Sequence, residues 1–184
     1  EANGVWAITG VNTRALVRHI RDQGAMAGGI FPDSVPPDEA KAMIAAEPGM
    51  AGSDFVSAVS PQEPIEHPGD GPHVVAIDTG IKSSIVNQFL LRGARVTLLP
   101  SAATPEDMTG RDPDLIFLAN GPGDPAAVAG VVETIRELVG VKPMVGICLG
   151  HQLLSRAVGL ETFKLPFGHR GSNHPVKDLG TGII

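Results

Sequence analysis

Cys148 is the one cysteine of the chain. It stands in Gly146-Ile147-Cys148-Leu149-Gly150, between an apolar strand-like run and an apolar helix-like one. A nucleophile at a tight strand-to-helix turn is presented for attack. Such a turn is strained, and the residues two away on either side must be small. Gly146 and Gly150 meet that need, so the pattern is a cysteine form of the G-x-S-x-G nucleophile elbow. The sulfur then lies at a helix N-terminus, where the dipole and free N–H groups favour negative charge. The backbone N–H of Leu149 points toward the same space and can donate to an oxyanion. The alternative is a small buried residue, a common role for free cysteine. The paired glycines weigh against it.

A second stretch, Asn120-Gly121-Pro122-Gly123-Asp124-Pro125, also follows an apolar run. Its glycines let backbone approach a ligand, and consecutive N–H groups can cradle an anion. Asp124 is expected to cap the next helix, with Pro125 at its first position. A plain tight turn explains the motif equally well when it is taken alone. No G-x-G-x-x-G opens a helix and no Gly-Lys-Ser/Thr follows, which excludes a dinucleotide fingerprint and a P-loop.

The elements that position both stretches are legible from their periodicity. Strands are expected at 73–78, 95–99, 114–119 and 144–147, and helices at 81–91, 126–139 and 149–158. Short apolar strands alternating with helices predict an α/β fold, a parallel sheet with helices on both faces. Chemistry in such sheets gathers at the carboxyl ends of the strands. Asp78-Thr79-Gly80, the Asn120 stretch and the Cys148 turn all stand at such ends.

The earlier part is different. Half of the 16 prolines lie between Pro32 and Pro72, so 31–72 is expected to be a linker holding one short helix, Pro37 to Ala46. Before it, Asn12 or Thr13 caps a helix that Gly24 ends. Leu16, Val17 and Ile20 form its apolar stripe. One helix cannot make a domain, so residues 1–30 are expected to be the tail of another.

Bulk properties exclude some functions. A net charge of −6 argues against non-specific nucleic-acid binding. No apolar run approaches the roughly 20 residues that span a bilayer. One cysteine rules out an internal disulfide and a cysteine-rich zinc site, and no metal is expected. A reducing, cytoplasmic setting fits best.

A thiol nucleophile needs a base within hydrogen-bond reach. None of the six histidines is well placed for this. His19 is on the polar side of the early helix, His67 is in the linker, and His73 begins a strand far from its carboxyl end. His151 follows Cys148 by three residues and is expected to pack beside the turn. His169 and His174 lie in a loop that could line the cleft or meet a partner.

NGPGDP at 120–125 followed by GICLGHQLL at 146–154 resembles the class I (triad) glutamine amidotransferases. Within that family, FGHRGSNHPVKD at 167–178 and ITGVNTRALVRHIRDQGAMAGGI at 8–30 resemble the small, glutaminase chains of carbamoyl-phosphate synthetases. The resemblance implies a flavodoxin-like fold over 73–184, preceded by the linker and the tail of a separate N-terminal domain. It implies that Cys148 forms a glutamyl thioester and releases ammonia. The N–H groups of Leu149 and of the Gly121 loop would hold the oxyanion. Gly121, Gly123, Leu149 and Gln152 would bind L-glutamine. No cofactor is implied for this chain. ATP and magnesium would act on a partner, the synthetase large subunit, which makes carbamoyl phosphate for arginine and pyrimidine biosynthesis. The family's base histidine and its orienting glutamate belong to a His-x-Glu segment expected beyond Ile184. The chain is therefore expected to be truncated at both ends and inactive alone. Two other readings remain at this point: the glutaminase of anthranilate or GMP synthesis, and an inactive partner-binding fragment.

Overall fold

The structure, a computed structural model, describes residues 4–166, 168 and 175–184. Most of FGHRGSNHPVKD, with His169 and His174, lies outside the described residues. The chain divides into two compact units, 48–163 and 1–47 with 164–184.

The unit 48–163 is built on a five-stranded sheet. Its strands are β1 (Ile65–His67), β2 (His73–Ile77), β3 (Arg95–Leu99), β4 (Leu115–Leu118) and β5 (Met144–Gly146), in the order β1-β3-β2-β4-β5. β2 pairs parallel with both β3 and β4, and β4 pairs parallel with β5. β1 alone runs antiparallel, with Glu66 opposite Thr97. The expected parallel sheet is therefore present, with one antiparallel edge strand added.

Helices cover both faces, and side-chain alternation divides the core between them. Val74 and Ala76 of β2 face one side with Val96, Leu98 and Phe117. Against them pack Ile85, Val86 and Phe89 of α4 (Ser83–Leu90). The Phe89 and Phe117 rings meet edge to face, centroids 5.1 Å apart. Val75 and Ile77 face the other side with Leu99, Ile116 and Leu118. There Val131, Val132 and Ile135 of α6 (Ala129–Leu138) and Leu149 and Leu153 of α7 (Leu149–Ala157) close the core.

Residues 48–72 were expected to be linker, yet they are part of this unit. α3 (Val56–Val59) buries Val56 in the core, and β1 forms the sheet edge, so His67 is a strand residue. Prolines flank β1 at 64 and 68, which suits an edge strand because an edge leaves backbone donors unneeded. A further short helix, α5 (Pro105–Thr109), had not been expected. It is closed by a capping box between Thr104 and Asp107.

Two helix starts differ from expectation. α4 begins at Ser83 rather than 81 because side chains capture the preceding amides. Asp78 Oδ1 accepts from Gly80 and Ile81, and Asn120 Oδ1 accepts from Lys82. α6 begins at Ala129 with Val128 as its cap residue and no side-chain cap, so Asp124 does not cap it. Asp124 instead closes a turn through Ala126 N–H, and its other oxygen accepts from Gly52.

In the other unit, α1 (Thr13–Gln23) is capped by Asn12, whose Oδ1 accepts from Ala15 N–H at 3.0 Å. α1 buries none of its residues, and Leu16 and Val17 of the expected stripe are exposed. α2 spans Pro37–Ala46, with proline in its first turn. Ala25 N–H donates to Pro166 O at 2.8 Å and joins the two stretches of the unit. Among the described residues no helix is long and apolar enough to cross a membrane.

Candidate active site

β5 ends at Gly146 and α7 starts at Leu149, so the chain reverses direction across two residues. Cys148 takes φ 54° and ψ −112° there, a conformation that L side chains rarely adopt. Among the described non-glycine residues only Asp112 shares a positive φ. Strain of this kind persists only where the surroundings over-determine it, and it gathers at functional sites. Cys148 is exposed, and its thiol makes no capping hydrogen bond to α7. The buried-residue alternative does not hold.

The flanking glycines are required by close backbone packing. A Cβ on Gly146 would lie 2.6 Å from the carbonyl of Gly150. A Cβ on Gly150 would lie 2.1 Å from Leu118 O and 2.8 Å from Ala119 O. The first glycine keeps the elbow tight. The second lets α7 sit directly on the end of β4.

The Asn120 loop leaves that same end of β4. Gly121 is pressed between two neighbours: a Cβ there would lie 2.0 Å from Thr79 O and 2.9 Å from Leu149 Cδ2. The structure thus brings Gly121 beside the residue that follows Cys148, at the carboxyl ends of β4 and β5. Gly123 has φ 93°, and a Cβ on it would meet Ser53 O at 3.0 Å. Gln152 lies on the first turn of α7, exposed, and its N–H donates to Cys148 O at 3.1 Å. His151 is exposed as well. Among the described residues no imidazole hydrogen-bonds the Cys148 sulfur.

Several contributors left little trace in the sequence. Thr79 is buried, and its hydroxyl faces Ala119 O at 3.0 Å and Asn120 O at 3.2 Å. Asn120 Nδ2 donates to Gly80 O at 3.0 Å while Oδ1 accepts from Lys82 N–H at 3.1 Å. At the far end of the loop, Gly52 N–H donates to Asp124 Oδ2 at 2.9 Å, and Asp124 N–H donates to Ser53 O at 3.2 Å. The amides of Gly52 and Ala126 hold the Asp124 carboxyl below the usual carboxylate range. The Asp78-Thr79-Gly80 turn beside them does carry a sequence signature, an Asx-type turn in which Asp78 Oδ1 accepts from Gly80.

An exposed thiol at a helix N-terminus beside a glycine loop suits acyl transfer: attack on a carbonyl, with backbone amides near the developing oxyanion.

Comparison with known proteins gives the same direction. The family model for class I glutamine amidotransferases matches residues 75–184. The chain is 46% identical over 177 residues to a protein of Clostridium perfringens named carbamoyl phosphate synthase small chain, covering 96% of this chain and 50% of that one. A Methanopyrus kandleri protein of the same name is 46% identical over 183 residues, covering 97% and 51%. One of Thermotoga maritima is 45% identical over 180 residues, covering 97% and 46%. The chain spans about half the length of the curated relatives it matches. With a family match from β2 onward, across both the Asn120 loop and the Cys148 elbow, the chain belongs to the class I glutamine amidotransferases.

Proposed function

We propose that the protein is the glutaminase component of a carbamoyl-phosphate synthetase, with Cys148 as its nucleophile. The observation that carries this is the strained, exposed Cys148 between two glycines that cannot bear a Cβ, with Gly121 against Leu149. The names of the relatives favour this synthetase over those of anthranilate or GMP synthesis.

The Cys148 thiol gives its proton to a general base, the role that the family resemblance assigns to the histidine of a His-x-Glu segment, and the sulfur attacks the side-chain amide carbon of glutamine. The amide oxygen becomes an oxyanion, held by the N–H groups of Leu149 and of the Gly121 loop. Gly121, Gly123 and Gln152 hold the rest of the substrate. The intermediate collapses as the same base returns that proton to the amide nitrogen, which leaves as ammonia. Water then cleaves the glutamyl thioester to glutamate and frees the thiol. The hydrolysis needs no cofactor. Free ammonia is mostly protonated in neutral water and then not nucleophilic. The product therefore passes within the complex to the synthetase large subunit, where ATP and magnesium act, to make carbamoyl phosphate for arginine and pyrimidine biosynthesis. A cytoplasmic setting fits a free thiol nucleophile.

The test is glutamine hydrolysis by the full-length protein assembled with its large subunit. Cys148→Ala is expected to abolish glutaminase activity and labelling by an electrophilic glutamine analogue, and to leave ammonia-dependent carbamoyl phosphate synthesis intact. Retained glutaminase activity in that variant would remove Cys148 as nucleophile.

A further inference from the structure

We propose that Asn120 is a positioning residue for this reaction: its carboxamide locks the loop carrying Gly121 to the turn after β2, and so fixes one side of the oxyanion site. The inference rests on the glutaminase reading of Cys148.

The loop has no secondary structure of its own, so side chains must hold it. β4 ends at Leu118, two residues before Asn120, and the next helix starts only at Ala129. The carboxamide of Asn120 acts as a substitute peptide group. Nδ2 donates to Gly80 O at 3.0 Å, and Oδ1 accepts the N–H of Lys82 at 3.1 Å. That amide is the cap-residue N–H of α4, so the loop is tied to a helix packed on the sheet. Two flanking contacts act in the same direction. The Thr79 hydroxyl bonds the carbonyls of Ala119 and Asn120. A Cβ on Gly80 would lie 3.1 Å from Pro122 Cδ and 3.5 Å from Gly121 Cα, so the turn and the loop are in van der Waals contact.

The next residue, Gly121, is the one pressed against Leu149. Whatever sets the height and tilt of peptide 120–121 sets where the Gly121 N–H stands between Thr79 O and the Leu149 side chain, beside the elbow. Asn120 does this without touching substrate. An aspartate keeps the acceptor for Lys82 but opposes its charge to Gly80 O. An alanine loses both bonds.

The experiment uses the full-length protein with its large subunit. Asn120→Ala is expected to lower kcat for glutamine hydrolysis on the order of 10- to 100-fold, the usual effect of misplacing an oxyanion donor. KM is expected to change less than about threefold, as expected when transition-state stabilisation is what is lost. Alkylation of Cys148 by iodoacetamide, a displacement at a saturated carbon that develops no oxyanion, is expected to keep the wild-type rate. Asn120→Asp is expected to fall between wild type and alanine, and it carries the test if the alanine variant does not fold. Wild-type kcat in the tested variant overturns the proposal. So does an alkylation rate that falls in parallel with kcat, since that marks general disturbance of the elbow. Failure of the underlying reading is separate and is seen in the wild-type and Cys148→Ala proteins. If those behave alike, the proposal fails with the glutaminase assignment rather than on the role of Asn120.

Discussion

The two ends of one sheet are organised in opposite ways. At the amino ends of β2 and β3, His73 is buried and fully engaged. Its Nδ1 lies 2.9 Å from Arg95 Nη2 and 3.1 Å from Arg111 O, and its Nε2 faces Thr97 Oγ1 at 2.8 Å. Thr97 Oγ1 donates onward to Glu66 Oε2 at 2.6 Å, and Arg111 donates to Glu66 Oε1 at 2.5 Å. The His73 backbone N–H is taken by Asp114 Oδ2 at 2.7 Å. At the carboxyl ends the Cys148 elbow packs backbone on backbone through Gly146 and Gly150, side chains of Asp78, Thr79 and Asn120 hold the neighbouring turn and loop, and the thiol of Cys148 has no capping bond. Buried polar groups with complete partners stabilise and rigidify. A reactive group left without a partner, on a strained turn, is available for chemistry instead. The amino end should therefore govern stability, and the carboxyl end should govern activity.

The largest effect expected is one that breaks this division. Gly150→Ala puts a methyl 2.1 Å from Leu118 O. Neither group can yield, because Leu118 is core strand and Gly150 is the second residue of α7. The expected cost exceeds about 4 kcal/mol, in the exceptional range for single substitutions. It should be seen as a collapse of the urea midpoint or of soluble yield. A variant of wild-type stability would mean that the elbow is looser than its packing indicates.

His73→Leu tests the other end. It takes the ring partner from Thr97, which is buried, and from Arg95, which is exposed and can turn to water, so the cost is about 2 kcal/mol and comes from the buried side. Urea denaturation is the measurement. Glutamine kcat/KM should stay within about twofold, because the ring is at the opposite end of β2 from the Asp78 turn. A matching fall in activity would dissolve the comparison.

Titration sharpens it further. Burial, then the Arg95 charge, holds the His73 pKa below its usual 6.5. The unfolded chain therefore binds the proton more readily than the folded one. Stability is complete above pH 6.5 and falls as pH drops below it. The Thr97 hydrogen bond, then Arg111, holds Glu66 below its usual 4.5. Its contribution is present above 4.5 and is lost at lower pH. Glu66, Arg95, Arg111, Asp114 and His73 itself are the charged or titratable groups in the network, and Asp112 stands close enough to feel the His73 charge. Thermal unfolding across pH 4 to 8 should show an acid decline that begins near pH 6.5, and His73→Leu should remove its first part.

Much of this division could be seen in the sequence, and the reasons are local. β3 fell at Arg95–Leu99 as read because its apolar run is bounded by glycine and proline. The elbow was legible because Gly146 and Gly150 stand at fixed spacing about one residue. β1 was missed because three residues between two prolines carry no periodicity. The starts of α4 and α6 were misplaced because side chains captured amides that propensity assigns to helix. Asn120 with Gly80 and Lys82, and Asp124 with Gly52, are long-range pairs, and only the fold brings them together.

The smallest expected effect concerns that last pair. Asp124 accepts from Gly52 and Ala126, as a capping residue does, though no helix starts there. Asp124→Ala should cost about 1 kcal/mol, the usual value for a lost side-chain cap. That is less than His73→Leu costs. Its effect on glutamine turnover should nevertheless be larger, because the bond to Gly52 anchors the far end of the loop that holds Gly121. The ratio of activity loss to stability loss is the informative quantity, read from kcat/KM and the urea midpoint of the same preparations. Asp124→Asn keeps one carbonyl acceptor and should lie between. If Asp124→Ala lost stability alone, the 49–55 segment would be scaffold only, and the carboxyl end would have its structural and catalytic parts on separate segments.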